Sequence, residues 1–479
     1  MKIYNERKKF LCNYTLSIIN YTFCHFVATI GGIIKMRIVI IGGIAAGMSA
    51  AAKAKRMAKD AEVVVYEKGR VVSFGGCGLP YYVGDFFSDS HHLIARTPEK
   101  LRASGIEVNI NHEVLGVDPS TKTLKVKNHE TGETFETNYD KLMVATGANA
   151  VFPPVEGLKE LENIFTLKSI DDGINLKNAM MKDENKEVVI IGAGFIGIEV
   201  VEAAKRLGKN VRIIQLDDRV LPLSFDKEIT DILEDEIRAH NVELNVSEIV
   251  KKVEGNGKVE KIITDKGEYK ADIVVVATGV RPNTKFLEGS GIEMDRGAII
   301  LDEHGMTSVE DIYSAGDCAL VYHNVRKKNV FIPLATTANK IGRIVGENLA
   351  GANNTFPGTY GSACVKVMDL EAGRTGITEA EAIQDGINYK TVFVKDKNQT
   401  HYYEGQEDLW IKLIYEADTK VILGGQMVGK KGAVLRVDSI AMAIAAKMKT
   451  TDLGMMDFCY APPFAKTWDI LNVAGNVAK

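Results

Sequence analysis

The sequence predicts an α/β fold containing two parallel-sheet units of the same design, and three observations predict it. The segment MRIVIIGGIAAGMSAAAKAKRMAKDAEVVVYEKG, from Met36, runs strand, glycine-rich turn, alanine-rich helix, strand. The segment EVVIIGAGFIGIEVVEAAKRLGKNVRIIQLDDR, from Glu187, repeats that order. Two further apolar strands, in YDKLMVATGA (139–148) and ADIVVVATGVRPN (271–283), both end in Ala-Thr-Gly.

In the first unit, Ile38 to Ile41 form a buried-strand run, and Gly42, Gly43, Ala45, Ala46 and Gly47 make the turn into the helix. Such a turn lets backbone N–H groups at a helix start approach a pyrophosphate. Gly42 and Gly47 hold the outer glycine positions, while Ile44 stands where a middle glycine is usual. The next strand ends at Glu67, followed by Lys68, and Glu67 is placed to accept from ribose hydroxyls. In the second unit Gly192, Gly194 and Gly197 have the full G-x-G-x-x-G spacing, with Phe195, Ile196 and Glu199 among and after them. Its next strand ends at Gln215, where an acidic residue ordinarily holds the ribose 2′-hydroxyl. Gln215 can bond a hydroxyl but does not repel a 2′-phosphate. Asp217 and Asp218 oppose a phosphate and Arg219 attracts one, so NADH is favoured over NADPH. The Ala-Thr-Gly ends contribute Ala145, Thr146 and Gly147 to the first site and Gly279 to the second. In TSVEDIYSAGDCA (307–319), a strand leads to Gly316 and Asp317, and Asp317 suits a flavin ribitol hydroxyl. A helix opening near Ala335 has a positive N-terminal end that would suit the electron-rich pyrimidine edge of a flavin.

The 479 residues are 46% hydrophobic and 25% charged, with a net charge of -4, which excludes an electrostatic case for nucleic acid. The six cysteines are scattered, with no CxxC pair and no Cys/His cluster, so neither a disulfide framework nor a metal site is expected and a reducing cytoplasm is. Residues 1–35 form an N-terminal extension. From Phe10 to Ile34 it has no Asp, Glu, Lys or Arg, but seven polar residues dilute it, so a membrane anchor is not expected.

In order, these motifs resemble those of the FAD-dependent pyridine nucleotide–disulfide oxidoreductases over residues 36 to 479. The resemblance implies an FAD-binding domain in two parts (36–150 and 283–353), an interposed NAD(P)-binding domain (151–282) and a C-terminal α+β dimerisation domain (354–479). It also implies a homodimer. In that family hydride passes from nicotinamide to flavin and electrons continue to a cysteine, which the resemblance identifies here as Cys77 in VVSFGGCGLPYY. Phe195 corresponds to an aromatic that covers the flavin. Two departures separate the chain from the two-cysteine branch: Val72 occupies the position of the second cysteine, and the C-terminal stretch from Cys459 holds no histidine.

The single-cysteine branch contains NADH peroxidases, NADH oxidases and coenzyme A-disulfide reductases. The first two use a histidine where this chain has Ala45, so the pattern resembles the coenzyme A-disulfide reductases. That resemblance makes Cys77 the attacking thiolate, Tyr460 of the YAPP stretch the proton donor, Tyr402 the second choice and Tyr403 a fallback. Ser49, Lys53 and Arg56 share one helix face and, with Ser73 and Asn339, match positions that contact coenzyme A. Cys318 and Cys364 are expected to be small buried hydrophobes. The remaining alternatives are an NADH oxidase working through a Cys77 sulfenic acid, and an FAD-bound redox sensor.

Overall fold

A computed structural model describes residues 35–479; the expected N-terminal extension lies outside the described residues except for Lys35. Strand β1 (Arg37–Ile41) is the centre of a five-stranded parallel sheet. On one side lie β2 (Glu62–Tyr66) and then Ile106–Asn109; on the other lie Lys141–Val144 and Ile312–Ser314. Ile38, Val39 and Ile40 are fully buried, as a central strand covered on both faces requires. Between β1 and β2 the chain forms α1 (Ala45–Met57).

The second sheet repeats the plan. Strand β3 (Glu187–Ile191) leads into α2 (Phe195–Arg206) and then β4 (Asn210–Ile214), with Val242–Asn245 beyond β4 and Ile273–Val276 and Ile164–Phe165 on the other side, all parallel. The repeat extends to detail. A Cβ on Gly42 would collide with the Ala145 carbonyl, and one on Gly192 with the Ala277 carbonyl; both glycines have positive φ, 104° and 102°. Each Ala-Thr-Gly end therefore lies directly against the first glycine of its unit's turn. Between the units runs a two-stranded antiparallel link, Ala148–Ala150 with Val280–Pro282. The hydroxyls of Thr146 and Thr278 donate to Asn283 O and Val151 O, both at 2.7 Å, on either side of it.

The third unit is an antiparallel five-stranded sheet in the order Ala363–Val367, Leu370–Gly376, Ile422–Gly429, Asp408–Glu416, Tyr389–Lys397. It shares a core with the second unit, since Val365, Val367, Leu370, Ala372 and Val428 pack with residues of α2 and of α3 (Lys227–Ala239). Lys412, with no exposed surface, sits in that seam. Its ammonium is 2.7 Å from Glu228 and 3.5 Å from Asp226 at the start of α3, and it also meets Glu379. Gln426 donates to Asp226 at 2.6 Å from the sheet side. A buried lysine costs stability unless its charge is compensated, and here three carboxylates from two units compensate it.

Helix α1 packs on α4 (Ala335–Leu349) through alanine and glycine. Cβ atoms on Gly342 and Gly346 would collide with the carbonyls of Ala46 and Ala50, so the two backbones approach as closely as the alanine-rich face of α1 allows. No helix among the described residues is long and apolar enough to cross a membrane.

Candidate active site

Cys77 lies in a single 3₁₀ turn, Gly76–Gly78, directly before the short helix Leu79–Val83. Two contacts place this segment. On one side Ser73 N donates to Gly43 O at 2.8 Å, fastening the cysteine loop to the first glycine turn. Ser73 holds φ at 53°, a left-handed conformation that costs a non-glycine residue about 1 kcal/mol or more. On the other side Leu79 and Val83 join the core of the second unit, against Ala203 and Ala204 of α2. The cysteine therefore stands where the two nucleotide-type units meet. Val72, fully buried, fills the space beside Gly43.

Cys77 is exposed and makes no side-chain hydrogen bond among the described residues. Partial burial pushes its thiol pKa up, and the carboxylates of Glu199 and Asp317 push in the same direction. The polypeptide alone thus disfavours the thiolate. Glu199, one turn into α2, is pushed up to about 7, first by burial and then by Glu202. Tyr81, one turn after Cys77, was passed over in the sequence; burial, Glu199 and Glu202 hold its phenol above the ordinary range. Its spacing from Cys77 across a glycine–proline helix start was the available signal.

The first glycine turn has the features of a nucleotide cradle. Glu67 directly follows β2 and accepts from Gly43 N and Gly69 N, each at 2.7 Å; burial raises its pKa while those amides oppose the rise. Lys68 points away, 2.7 Å from Glu113. Gly316, at φ 88°, sets Asp317 beside α1, with Ala46 close to Gly316. The Asp317 carboxylate has no hydrogen-bond partner among the described residues, and burial raises its pKa against the pull of Lys168. Ala335 opens α4 as expected.

In the second unit Gly194 is the N-cap of α2 and Phe195, Ile196 and Gly197 its first turn, with Phe195 partly buried against the core and Ile196 exposed. Gly279 follows its strand at φ 102°. Gln215, expected to face a ribose, is only 6% exposed and turned inward. Its Oε1 accepts from Ala193 N at 2.9 Å and its Nε2 donates to Asp217 at 2.8 Å.

Of the polar face on α1, Ser49 and Asn339 meet, Ser49 Oγ donating to Asn339 Oδ1 at 2.7 Å across α1 and α4. Lys53 differs from a free phosphate ligand, because Glu347 of α4 holds it at 2.8 Å; Arg56 remains exposed. Arg343, exposed on α4 one turn after Asn339 and 3.8 Å from Glu347, adds a cation that the sequence reading missed. Only the α1–α4 packing brings it there.

Tyr402 and Tyr460 lie in the third unit, half or more exposed in the first case and 45% in the second, with hydroxyls 3.1 Å apart. Among the described residues no hydrogen bond joins either to Cys77. Cys318 is fully buried as expected, but Cys364 corrects its expectation: it is exposed. On the edge strand Ala363–Val367, Val365 and Val367 turn into the core, so residues 364 and 366 face the other way. Lys366 there pairs with Glu202 of α2.

Residues 36–342 match the family model described as pyridine nucleotide-disulphide oxidoreductase, and residues 362–470 match that family's dimerisation domain. The chain belongs to this family. The NAD(P)H coenzyme A polysulfide/persulfide reductase of Pyrococcus horikoshii is 41% identical over 93% of this chain and 99% of its own length. An NADH oxidase of Enterococcus faecalis is 35% identical over 92% and 99%. Among solved structures, an NAD-dependent persulfide reductase from A. fulgidus superposes with a TM-score of 0.89 at 36% identity, covering 92% of this chain and 83% of that one. An oxidoreductase of this family pairs FAD with NAD(P)H. The first turn fits such a flavin nucleotide: a glycine cradle that side chains would fill, Glu67 at the strand end, and an Asp317 carboxylate with no protein partner.

Proposed function

We propose that this pyridine nucleotide-disulphide oxidoreductase reduces coenzyme A disulfide, or a related di-, per- or polysulfide, with NAD(P)H through FAD and Cys77, as a cytoplasmic homodimer. The observation carrying this reading is the lone, exposed Cys77 at the junction of the two nucleotide units, with Val72 buried where a second cysteine would be needed. A cysteine with no protein partner takes its partner from the substrate.

In this reading Cys77 first loses its thiol proton to solvent, and the thiolate attacks one sulfur of the substrate disulfide, forming a Cys77–S–S–R bond and breaking the original S–S bond. The departing thiolate takes a proton from Tyr460, whose hydroxyl Tyr402 supports. Bound FAD supplies the two-electron chemistry that links the nicotinamide to the sulfur. The mixed disulfide is then reduced, freeing the second thiol, so that one RSSR, one NAD(P)H and one proton become two RSH and NAD(P)⁺. In the homodimer, Tyr460 reaches across the interface formed by the dimerisation domain, as the resemblance to the coenzyme A-disulfide reductases implies. Ser49, Asn339, Arg56 and Arg343 offer polar and cationic contacts to a phosphate-bearing thiol such as coenzyme A, and Ser73 completes the cysteine loop. NADH is the preferred donor, supported by Asp217 and Asp218 beyond β4.

The test is NADH consumption with coenzyme A disulfide under nitrogen, by the wild type and Cys77→Ser. The expected result is disulfide-dependent turnover that Cys77→Ser abolishes while hydride still bleaches the flavin. Turnover under air with no dependence on disulfide would instead favour oxygen reduction, as in the NADH oxidase relative. Ala45, in the glycine turn where no imidazole is available, weighs against that outcome.

A further inference from the structure

We propose that Glu347 limits the grip of the substrate site on phosphate, by holding Lys53 in competition with the phosphates of the thiol substrate. This rests on the reading of the α1–α4 face as the coenzyme A contact.

The face is built from two helices in register. Asn339, Arg343 and Glu347 follow at four-residue intervals along one side of α4. Ser49 of α1 meets Asn339 at 2.7 Å, a neutral pair. One turn further along α1, Lys53 meets Glu347 Oε1 at 2.8 Å, and Arg343 Nε lies 3.8 Å from the same oxygen. Glu347 Oε2 accepts from Asn354 Nδ2. Asn354 is itself fixed, since its N–H donates to Asn348 Oδ1 at 2.7 Å and Asn348 Nδ2 donates to Asn354 O at 2.8 Å. The carboxylate is therefore positioned from a second side, and its place does not depend on Lys53. The hydrogen bond from Lys53, as the largest cause, holds its carboxyl below the usual carboxylate range against the effect of burial.

Lys53 and Glu347 are partly buried, whereas Arg56 and Arg343 are exposed. A phosphate arriving on this face meets the two arginines first. Drawing Lys53 to the phosphate breaks an existing ion pair and leaves a fixed carboxylate beside a second anion. The affinity thus stays below what Lys53, Arg56 and Arg343 would give together.

The reaction gives such a restraint a use. Each coenzyme A released carries the same pyrophosphate and 3′-phosphate as either half of its disulfide. Grip on those phosphates is uniform binding, which lowers KM without raising kcat and also retains the product. Glu347 acts through Lys53 and is a positioning residue.

The test compares coenzyme A with pantetheine, which lacks those phosphates, by titration calorimetry on the FAD-loaded protein under reducing conditions. Glu347→Gln should raise the affinity ratio of coenzyme A to pantetheine about fivefold, as loss of one nearby charge predicts. Its KM for coenzyme A disulfide should fall by a similar factor while kcat does not rise. Lys53→Met leaves the carboxylate without its ammonium partner and should lower the ratio about fivefold. The double variant should return close to the wild type, because both members of the pair are then gone. A purely structural link between α1 and α4 would not move the two single variants in opposite directions. Retained FAD and an unchanged far-UV spectrum establish that each variant is folded. An unaltered ratio in folded Glu347→Gln, or in folded Lys53→Met, would overturn the assignment. A wild type that binds coenzyme A no tighter than pantetheine would overturn the reading of the α1–α4 face, and this inference with it. No disulfide enters the calorimetry, so failure of the Cys77 chemistry is a separate result.

Discussion

The hydroxyl of Tyr402 lies 3.1 Å from that of Tyr460, and the contact raises the Tyr460 pKa, chiefly through the hydrogen bond itself. A phenol held this way remains protonated at neutral pH and has a proton to give.

Tyr460→Phe should therefore slow disulfide reduction about a hundredfold, in the range of a lost general acid. Tyr402→Phe should slow it less. The double variant should be no slower than Tyr460→Phe, because the two act as one unit. Steady-state turnover with coenzyme A disulfide reads this, and stopped-flow bleaching by NADH serves as the control that both changes leave unaltered.

Burial first and then Glu199 push the Cys77 thiol upward, and burial pushes Glu199 itself up to about 7. With the carboxylate gone, the thiolate forms at lower pH. Glu199→Gln should speed alkylation of Cys77 by iodoacetamide at pH 8 several-fold and move the midpoint of the rate profile down. In the wild type the effect of Glu199 fades below pH 7 as it takes up a proton. A midpoint unmoved in Glu199→Gln would show that burial alone sets the thiol.

His323 has no exposed surface, and its Nδ1 accepts from Val325 N and Arg326 N at 3.3 Å. Burial, as the largest cause, pushes its pKa down to about 4 from 6.5. The unfolded chain thus binds a proton that the native imidazole refuses. The stabilisation is present above pH 6.5 and is lost as pH falls towards 4, by about 3 kcal/mol in all. Urea midpoints at pH 7.5 and 4.5 should separate by less in His323→Asn than in the wild type.

Gly346→Ala places a methyl group against the Ala50 backbone, where no flexible side chain can give way. Overpacking of this kind costs about 1–3 kcal/mol. The variant should melt lower and lose FAD on gel filtration, read from the ratio of flavin to protein absorbance, because α1 carries the first glycine turn.

The nucleotide units were legible because their chemistry is local. Gly42 and Gly192 need positive φ beside an Ala-Thr-Gly end, and only a few spacings satisfy that. The alanine-rich sequence of α1 is of the same local kind, and α4 packs closely on it through Gly342 and Gly346. What stayed hidden depends on partners distant in sequence. Lys53 looked like a free phosphate ligand until α4 brought Glu347 to it. Cys364 looked buried because an apolar strand does not say which of its faces is covered. Gln215 looked like a weakened ribose ligand because its spare donor acquires meaning only when Asp217 folds back to it. Lys412 left a signal that went unused, a lone cation within the apolar run DLWIKLIYE.

That lysine bears on how the chain can be taken apart. Cutting at residue 354 would separate Asp226 and Glu228 from Lys412 and leave it Glu379 alone. The excised sheet would also expose Val365, Val367 and Val428, which belong to the core of α2 and α3. The dimer-forming piece is not a transplantable module: a chimera that exchanged it between relatives would have to bring the opening turn of α3 along.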